Sequence, residues 1–431
     1  MEAKQSVPVR VNLRTPDVMS HVQAQVERHY RSELVETIRA QGGVLLCGQT
    51  TIRLAKQFGF CYGVERAIDL AYAAAKVFSD RRIFLLGEII HNPDVNAQMA
   101  ELGIRELPAR PAPEDFAALA ADDIVIIPAF GAETATVDAI KACGARIVDT
   151  TCGDVMSVWK RVRQNAVEQV TSIIHGKTSH EETRATASRA LGPDGSGHYL
   201  IVLDLAQAVR VCDFIRQGGN AAAFMETFRD SASPGFAPDV HLRRIGVANQ
   251  TTMLRSETEE IQNLLRGAVA ARDGGDTANF RYFDTICGAT QERQDALFQL
   301  LSESPDLLLV IGGYNSSNTT HLVEIGEKAQ PTWFVRNASC LLSAEEILHY
   351  DLSKKEEVLS TGWLPAIGRL TIGVTAGASC PNNLIEDTIR RVLELRGEAL
   401  PVRDIPEATL REWIEEDERD AESFWKRAGK E

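Results

Sequence analysis

Three cysteines stand in nearly the same local setting at widely separated points of the chain. They are Cys61 in QFGFCYGVERAIDLA, Cys152 in RIVDTTCGDVMSVWKRV and Cys287 in RYFDTICGATQERQDAL. Each follows an extended, partly apolar run and precedes a helical one, and two share the frame Asp-Thr-X-Cys-Gly. A helix N-terminus offers free N–H groups and partial positive charge, which favours a thiolate or a negatively charged metal–thiolate group. Three such thiols, one from each of three strand-to-helix junctions, suit a common centre, and iron–sulfur clusters are the usual thiolate-bound cofactors. Three protein ligands would leave one position open for chemistry. A closed structural zinc site draws two ligands from one short knuckle, so this dispersion argues against it. The competing reading is burial as small hydrophobes. That reading is adopted for Cys47, Cys143, Cys212 and Cys340, and Cys380 in GASCPNN stays between the two.

The remaining polar inventory gathers at similar junctions. GEIIHNPDVN holds His91 and Asn92, and IIHGKTSHEETRATAS holds His175, His180 and Glu182. VANQTTM holds Thr251 and Thr252, VIGGYNSSNTTHL holds Asn315, Ser316, Ser317 and Asn318, and GVTAGASCP holds Ser379. In open α/β sheets ligands bind beyond the carboxyl ends of strands, where these residues fall. The Asn-Ser-Ser-Asn run, between a buried strand and a helix, can aim hydroxyls, amides and helix N–H groups at phosphate oxygens. It is not a Walker loop, and plain N-capping is the alternative for Ser316, Ser317 and Thr319. His180 and Glu182 would diverge on a helix but can converge on one proton path from a loop. His21, His29, His198, His241 and His349 are read as structural.

The elements that must position these groups alternate strand and helix. The helical stretch 16–41 ends at Gly42-Gly43, a plausible C-cap. Candidate strands lie at Val44–Cys47, Ile83–Leu86, Asp123–Pro128, Arg146–Asp149, Ser172–His175, Tyr199–Leu203, Arg244–Ala248, Arg281–Asp284, Asp306–Ile311, Thr332–Val335 and Leu370–Thr375. Short β-rich runs between helical patterns predict parallel α/β layers. A chain of 431 residues accommodates three domains of ~150 residues each. Gly192–His198 and roughly residues 217–239 read as loop insertions, and the charged tail from Glu398 as an appendage with Trp413 and Trp425 as docking anchors. The longest apolar runs, Leu307–Ile311 and Ile124–Ile127, are too short to span a bilayer. Eight cysteines are too few for a disulfide scaffold, and a net charge of −14 argues against general nucleic-acid or membrane-surface binding. The N-terminus lacks the apolar core of a secretory signal, so a soluble, cytoplasmic protein is expected.

Over roughly residues 52–395 the chain resembles the 4-hydroxy-3-methylbut-2-enyl diphosphate reductase (LytB) family. The resemblance rests on GFCYGVERAI, IIHNPDV, DTTCGDV, HGKTSHEET, NQTTM, TICGATQERQ, GGYNSSNTTHL and GVTAGAS, in the family's order. HGKTSHEET and ICGATQERQDA look most like the plant and cyanobacterial branch, and no transit peptide is evident. The resemblance implies three α/β domains in pseudo-threefold arrangement around one 4Fe–4S cluster held by Cys61, Cys152 and Cys287. Its apical iron, not ligated by cysteine, would bind the substrate's allylic hydroxyl oxygen. The implied division is an N-terminal helical extension at 1–46, a strand segment at 47–61 joining the third domain, domains at 62–151, 152–286 and 287–397, and a charged tail at 398–431. His91, His180, Thr252, Asn315, Ser316, Ser317, Asn318 and Ser379 would bind the substrate diphosphate end, with Glu182 as proton donor and Thr251 bonded to substrate. The implied reaction is a two-electron, two-proton loss of water, the last step of the methylerythritol phosphate route, yielding isopentenyl and dimethylallyl diphosphate. The implied electron donor is reduced ferredoxin or flavodoxin, and a homodimer is compatible with the family.

The chain departs from the family in one pocket position. Many bacterial members carry an imidazole within a Ser-Ala-His-Gly segment, where this chain has IIPAFGAE with Phe130. Phenylalanine cannot donate to phosphate, and His175 or Lys177 could compensate. Gly153 and Gly288, directly after two of the cysteines, could permit close backbone approach to a cluster or simply serve a turn. Two other readings stay open: a quinolinate synthase-like three-cysteine enzyme, which would not require the Asn315–Asn318 cradle, and a non-catalytic iron–sulfur sensor, which would not require Glu182.

Overall fold

The computed structural model describes residues 13–400. Three separate sheets, each mainly parallel, form the frame. Strands β1 (Val44–Cys47) and β2 (Thr50–Leu54) come first, as an antiparallel pair. The first complete sheet follows, from β3 (Ile83–Leu86), β4 (Arg105–Leu107), β5 (Ile124–Ile127) and β6 (Arg146–Asp149), in the order β4-β3-β5-β6. The second uses β7 (Thr171–His175), β8 (Tyr199–Val202), β9 (Ile245–Asn249) and β10 (Phe280–Tyr282), in the order β10-β9-β7-β8. Every pairing in these two sheets is parallel. The third sheet takes β11 (Leu307–Ile311) and β12 (Thr332–Val335), skips the hairpin β13 (Glu346–Asp351) and β14 (Glu356–Thr361), and ends with β15 (Leu370–Ala376). Its order β1-β2-β15-β11-β12 returns the start of the chain to the last unit.

Central strands such as β5 (IVII) and β11 (LLLVI) are buried along their whole length. That is expected where helices cover both faces of a parallel sheet, and it explains why these strands read as continuous apolar runs. The largest core lies around the third sheet, a second under the helix Tyr62–Val77, and a third between β7–β9 and the helices Leu205–Gln217 and Arg255–Arg272.

Several sequence expectations are corrected. The stretch 16–41 is two helices, Pro16–Tyr30 and Glu33–Ala40. Ser32 breaks it, because its extended backbone lets Oγ accept from Val35 N–H at 2.9 Å and start a new helix. The first of these helices packs Val22 and Tyr30 on the first unit, while the second packs Val35 and Ile38 on the third, so the extension bridges two units. The expected C-cap holds: Gly42 has φ 76°, and Gly43 N–H returns to Ile38 carbonyl. The supposed loop at 217–239 contains the helix Ala221–Phe228, which buries Phe224 and Phe228, and the short turn of helix Pro238–His241. Strand β2 lies within the expected strand segment 47–61 and joins the third sheet beside β15, whereas β4, β13 and β14 were not anticipated. The third sheet begins at Val44, ahead of the expected boundary at residue 47, because β1 pairs with β2 from its first residue. Trp413 and Trp425 lie outside the described residues. No described helix is long and apolar enough to cross a membrane.

Candidate active site where the three units meet

Each of the three cysteines is the N-cap of a helix: Cys61 for Tyr62–Val77, Cys152 for Gly153–Val167 and Cys287 for Gly288–Ser302. All three have extended backbones, and each N–H is tied to a carbonyl at a strand-end loop, Ala378, Ala129 and Thr251 respectively. The three sheets thus hold three thiols in place through backbone bonds. Burial raises all three thiols above their usual range, Cys152 and Cys287 to about 12. The charge of Cys61 contributes to the rise at both other cysteines. Thiols held up by desolvation and, at Cys152 and Cys287, by the charge of Cys61 need a cation to become thiolates, which is the chemistry of an iron-bound triplet. The packing fits such a group. A Cβ on Gly63 would lie 2.5 Å from Cys152 Sγ and 4.0 Å from Cys61 Sγ, so only glycine lets these sulfurs flank the helix start. Gly153 and Gly288 are different: neither has a positive φ, and a Cβ there meets no other residue's atoms closer than 4.0 Å. Cys47, Cys212, Cys340 and Cys380 are buried, as in the hydrophobe reading, while Cys143 is half-buried with Sγ 3.4 Å from the Phe116 carbonyl.

Glu182 lies in the first turn of the helix Glu181–Ala190 and is 3% exposed. One carboxyl oxygen accepts from Thr251 N–H at 2.6 Å and the other from Thr251 Oγ1–H at 3.1 Å. Burial pushes the acid up to about 7, against the two Thr251 hydrogen bonds and the charge of His91, which hold it down. Because the Thr251 carbonyl accepts from Cys287 N–H, the acid is two hydrogen-bonded steps from a cysteine. His180 is the N-cap of the same helix, and its Nδ1 accepts from Glu182 N–H at 3.1 Å. Burial, then the charges of His91, Lys177 and Arg184, hold this imidazole neutral, well below its usual value. With Nδ1 accepting, the single proton sits on Nε2, where it can be donated.

A cavity of about 450 Å³ opens beside this pair, lined in part by His91, His180, Asn315 and Ser317, with Phe130 and Lys177 on its walls. Of the expected substrate-end residues these four reach it. His91 Nδ1 donates to Glu88 at 2.9 Å, and its buried Nε2 has no hydrogen-bond partner. Ser316 is the N-cap of the helix Ser317–Glu327, its Oγ accepting from Thr319 N–H, so the capping reading describes it. Asn318 Oδ1 accepts from Ala378 N–H while its buried Nδ2 is left without a protein partner. Ser379 Oγ donates to the His91 carbonyl and the Ser379 carbonyl accepts from Asn92 Nδ2, so this serine joins the first unit to the third.

Gln250 was not singled out in the sequence, yet it connects most of the site. Its Oε1 accepts from Lys177 N–H and Thr183 Oγ1–H, and its Nε2 donates to Thr252 Oγ1 at 2.8 Å and Ser317 Oγ at 3.0 Å. Both hydroxyls accept from this amide, so their own protons are free to point at an anion. A long polar residue at a fully buried strand end is the sequence signal that could have found it.

Three α/β units that converge a half-buried thiol triplet, a buried acid and a polar cavity define an iron–sulfur oxidoreductase. The sequence model of the LytB protein family matches residues 52–393, and the chain belongs to that family. It is 47% identical over 385 residues to the 4-hydroxy-3-methylbut-2-enyl diphosphate reductase of Gloeobacter violaceus, spanning 88% of this chain and 91% of that one. The proteins of the same name from Synechococcus sp. (strain RCC307) and Nostoc sp. are 45% and 44% identical, covering 90% and 88% of this chain and 94% and 93% of theirs. Among solved structures, the E-1-hydroxy-2-methyl-but-2-enyl-4-diphosphate reductase from Plasmodium falciparum shares the fold at a TM-score of 0.58 and 21% identity, over 85% of this chain and 98% of that one. The family match favours the reductase over the quinolinate synthase-like and sensor readings.

Proposed function

We propose that the chain reduces (E)-4-hydroxy-3-methylbut-2-enyl diphosphate to isopentenyl and dimethylallyl diphosphate, the last step of the methylerythritol phosphate route. The observation that carries this reading is the position of Glu182, bonded to Thr251 beside Cys287 and two residues from His180 at the cavity. The reaction takes two electrons and two protons, breaks the C–O bond of the allylic hydroxyl and releases water. Cys61, Cys152 and Cys287, one from each of the units 62–151, 152–286 and 287–397 or its leading junction, would hold a 4Fe–4S cluster. When bound, that cluster supplies the electrons and, at the iron without a cysteine, Lewis acidity.

The protein's own part is binding and proton delivery. His180 donates from Nε2 to the diphosphate, the Ser317 hydroxyl, turned outward by Gln250, donates beside it, and Thr252 supports this wall through the same amide. His91, Asn315, Ser316, Asn318 and Ser379 complete this end of the site, Ser379 by fixing the His91 backbone. Hydroxide is a poor leaving group, so a positioned acid is required. Glu182, protonated near neutral pH by its burial, delivers that proton, and Thr251 aligns it. Reduced ferredoxin or flavodoxin supplies the electrons, and the enzyme works in the cytoplasm, with a homodimer compatible with this arrangement.

The test is anaerobic purification followed by turnover with a reduced dye and the hydroxylated diphosphate. Coloured, active wild type, a Cys152→Ser variant that fails to assemble the full cluster, and a coloured but inactive Glu182→Gln variant are expected. Protein that stays colourless and inactive after reconstitution defeats the reading.

A further inference from the structure

The cavity has an unusual balance of charge for a diphosphate site. Three carboxylates line it, Glu88, Glu106 and Glu181. Among the described residues that line it, Lys177 is the only lysine or arginine. His180 is a neutral donor, its Nδ1 committed to the Glu182 N–H. Nearby Arg184 is engaged with Glu133 at 2.9 Å. A diphosphate carries at least two negative charges near neutral pH, so a cavity walled by carboxylates repels it unless a cation meets it.

Phe130 sharpens the requirement. Its ring stacks on His91 with centroids 4.5 Å apart and planes 10° from parallel, and meets His180 edge-on at 6.2 Å. The ring braces both imidazoles and donates nothing. Of the two residues that could supply a donor instead, His175 is ruled out. It is 0% exposed, its Nδ1 is bonded to Thr258 Oγ1 at 2.8 Å, its Nε2 lies 3.8 Å from Glu257, and it does not line the cavity.

Lys177 meets the requirement. Its backbone is fixed at both ends, N–H to Gln250 Oε1 at 3.2 Å and carbonyl to His180 N–H at 3.0 Å. It therefore sits on the turn that delivers the N-terminus of the helix Glu181–Ala190 to the cavity, beside the dipole's positive end. Glu324, the acid outside the cavity whose charge acts on Lys177, already accepts from His321 Nδ1 at 2.7 Å. We propose that Lys177 is a diphosphate-binding residue, supplying from the second unit the cationic contact that Phe130 cannot make from the first. The proposal rests on the reading of this cavity as the diphosphate end of the site.

Inorganic pyrophosphate, titrated calorimetrically into the anaerobic holoenzyme, separates the two ideas. Wild type should bind it, Lys177→Ala about 10- to 100-fold more weakly, as for loss of one charge-assisted hydrogen bond, and Lys177→Arg within a few fold of wild type. The slope of affinity against salt should flatten in Lys177→Ala. Adding Phe130→His to Lys177→Ala should restore part of the loss. With the full substrate, KM should rise far more than kcat falls. Thermal unfolding and cluster absorbance of Lys177→Ala should match wild type; if they do not, Lys177→Gln and Lys177→Arg carry the comparison. Unchanged pyrophosphate affinity in a folded Lys177→Ala or Lys177→Gln variant overturns the role of Lys177 and leaves the site reading standing. Wild type that binds no pyrophosphate overturns the site reading itself, and this proposal with it.

Discussion

A carboxyl group that must donate a proton near neutral pH has to hold that proton against bulk water, and burial gives Glu182 this property. Its value in the fold, about 7, lies above that of an exposed glutamate. The acid form is therefore full below pH 7 and lost as pH rises through it. We expect kcat to fall along an alkaline limb centred near that value, and Glu182→Gln to lower kcat by about 10²–10⁴-fold and remove the limb. A Glu182→Gln enzyme with wild-type kcat would sink the assignment. The Thr251 hydroxyl holds the acid down, so Thr251→Val, which keeps the backbone bond, should move the limb to higher pH. A limb that stays in place or moves lower contradicts the Glu182–Thr251 coupling. The thiols, Glu182 and His180 were legible in the sequence as residue types in motif contexts. The Glu182 shift was not, because it depends on how completely the folded chain buries the carboxyl group.

Helix starts do most of the positioning. Cys61, Cys152, Cys287, His180 and Ser316 are all N-caps, and Asn92 caps the helix Pro93–Glu101 from the cavity's other side. Asn92 also donates to the Ser379 carbonyl, so Asn92→Ala should cost about 1–3 kcal/mol, more than a cap alone, as read from denaturant midpoints. A loss below about 0.5 kcal/mol would mean the inter-unit bond contributes nothing. Gly63→Ala separates folding from cofactor assembly. Alanine is the better helix former by up to about 1 kcal/mol, so apoprotein helicity should hold or rise. Iron content and cluster absorbance should drop sharply, because the new methyl group meets Cys152 Sγ. Full iron loading in Gly63→Ala would place the cluster elsewhere. Most strands were legible because central parallel strands must be apolar on both faces. β4 and the hairpin β13–β14 were missed: each is short or half-exposed, and its pairing rather than its composition makes it a strand.

At the scale of the whole molecule the site is a seam. Gln250 ties Lys177 and Thr183 of the second unit to Ser317 of the third, and Arg293 donates from the helix after Cys287 to the carbonyls of Gly59 and Phe60 just before Cys61. Both side chains are buried, so their bonds are strong and their loss is uncompensated by water. Gln250→Leu should therefore lower stability by about 2 kcal/mol or more and raise KM, since the Ser317 proton loses its direction. Urea titration and steady-state kinetics check both. A variant with wild-type stability and KM would show that the seam does not depend on this amide.

By itself the sequence determined the chemistry on offer: three thiols in one repeated frame, an acid and an imidazole two residues apart, and an anion cradle after a buried strand. It also determined the alternation of strand and helix that yields three parallel sheets, because local propensity and apolar periodicity are carried by neighbouring residues. Only the tertiary structure decided which donors face the cavity, that His175 is sealed inside its sheet while Lys177 is not, that Ser379 serves a backbone carbonyl, and that Gln250 and Gly63 matter at all. Those outcomes depend on contacts between residues tens to hundreds of positions apart, which only the packing of the three units brings together.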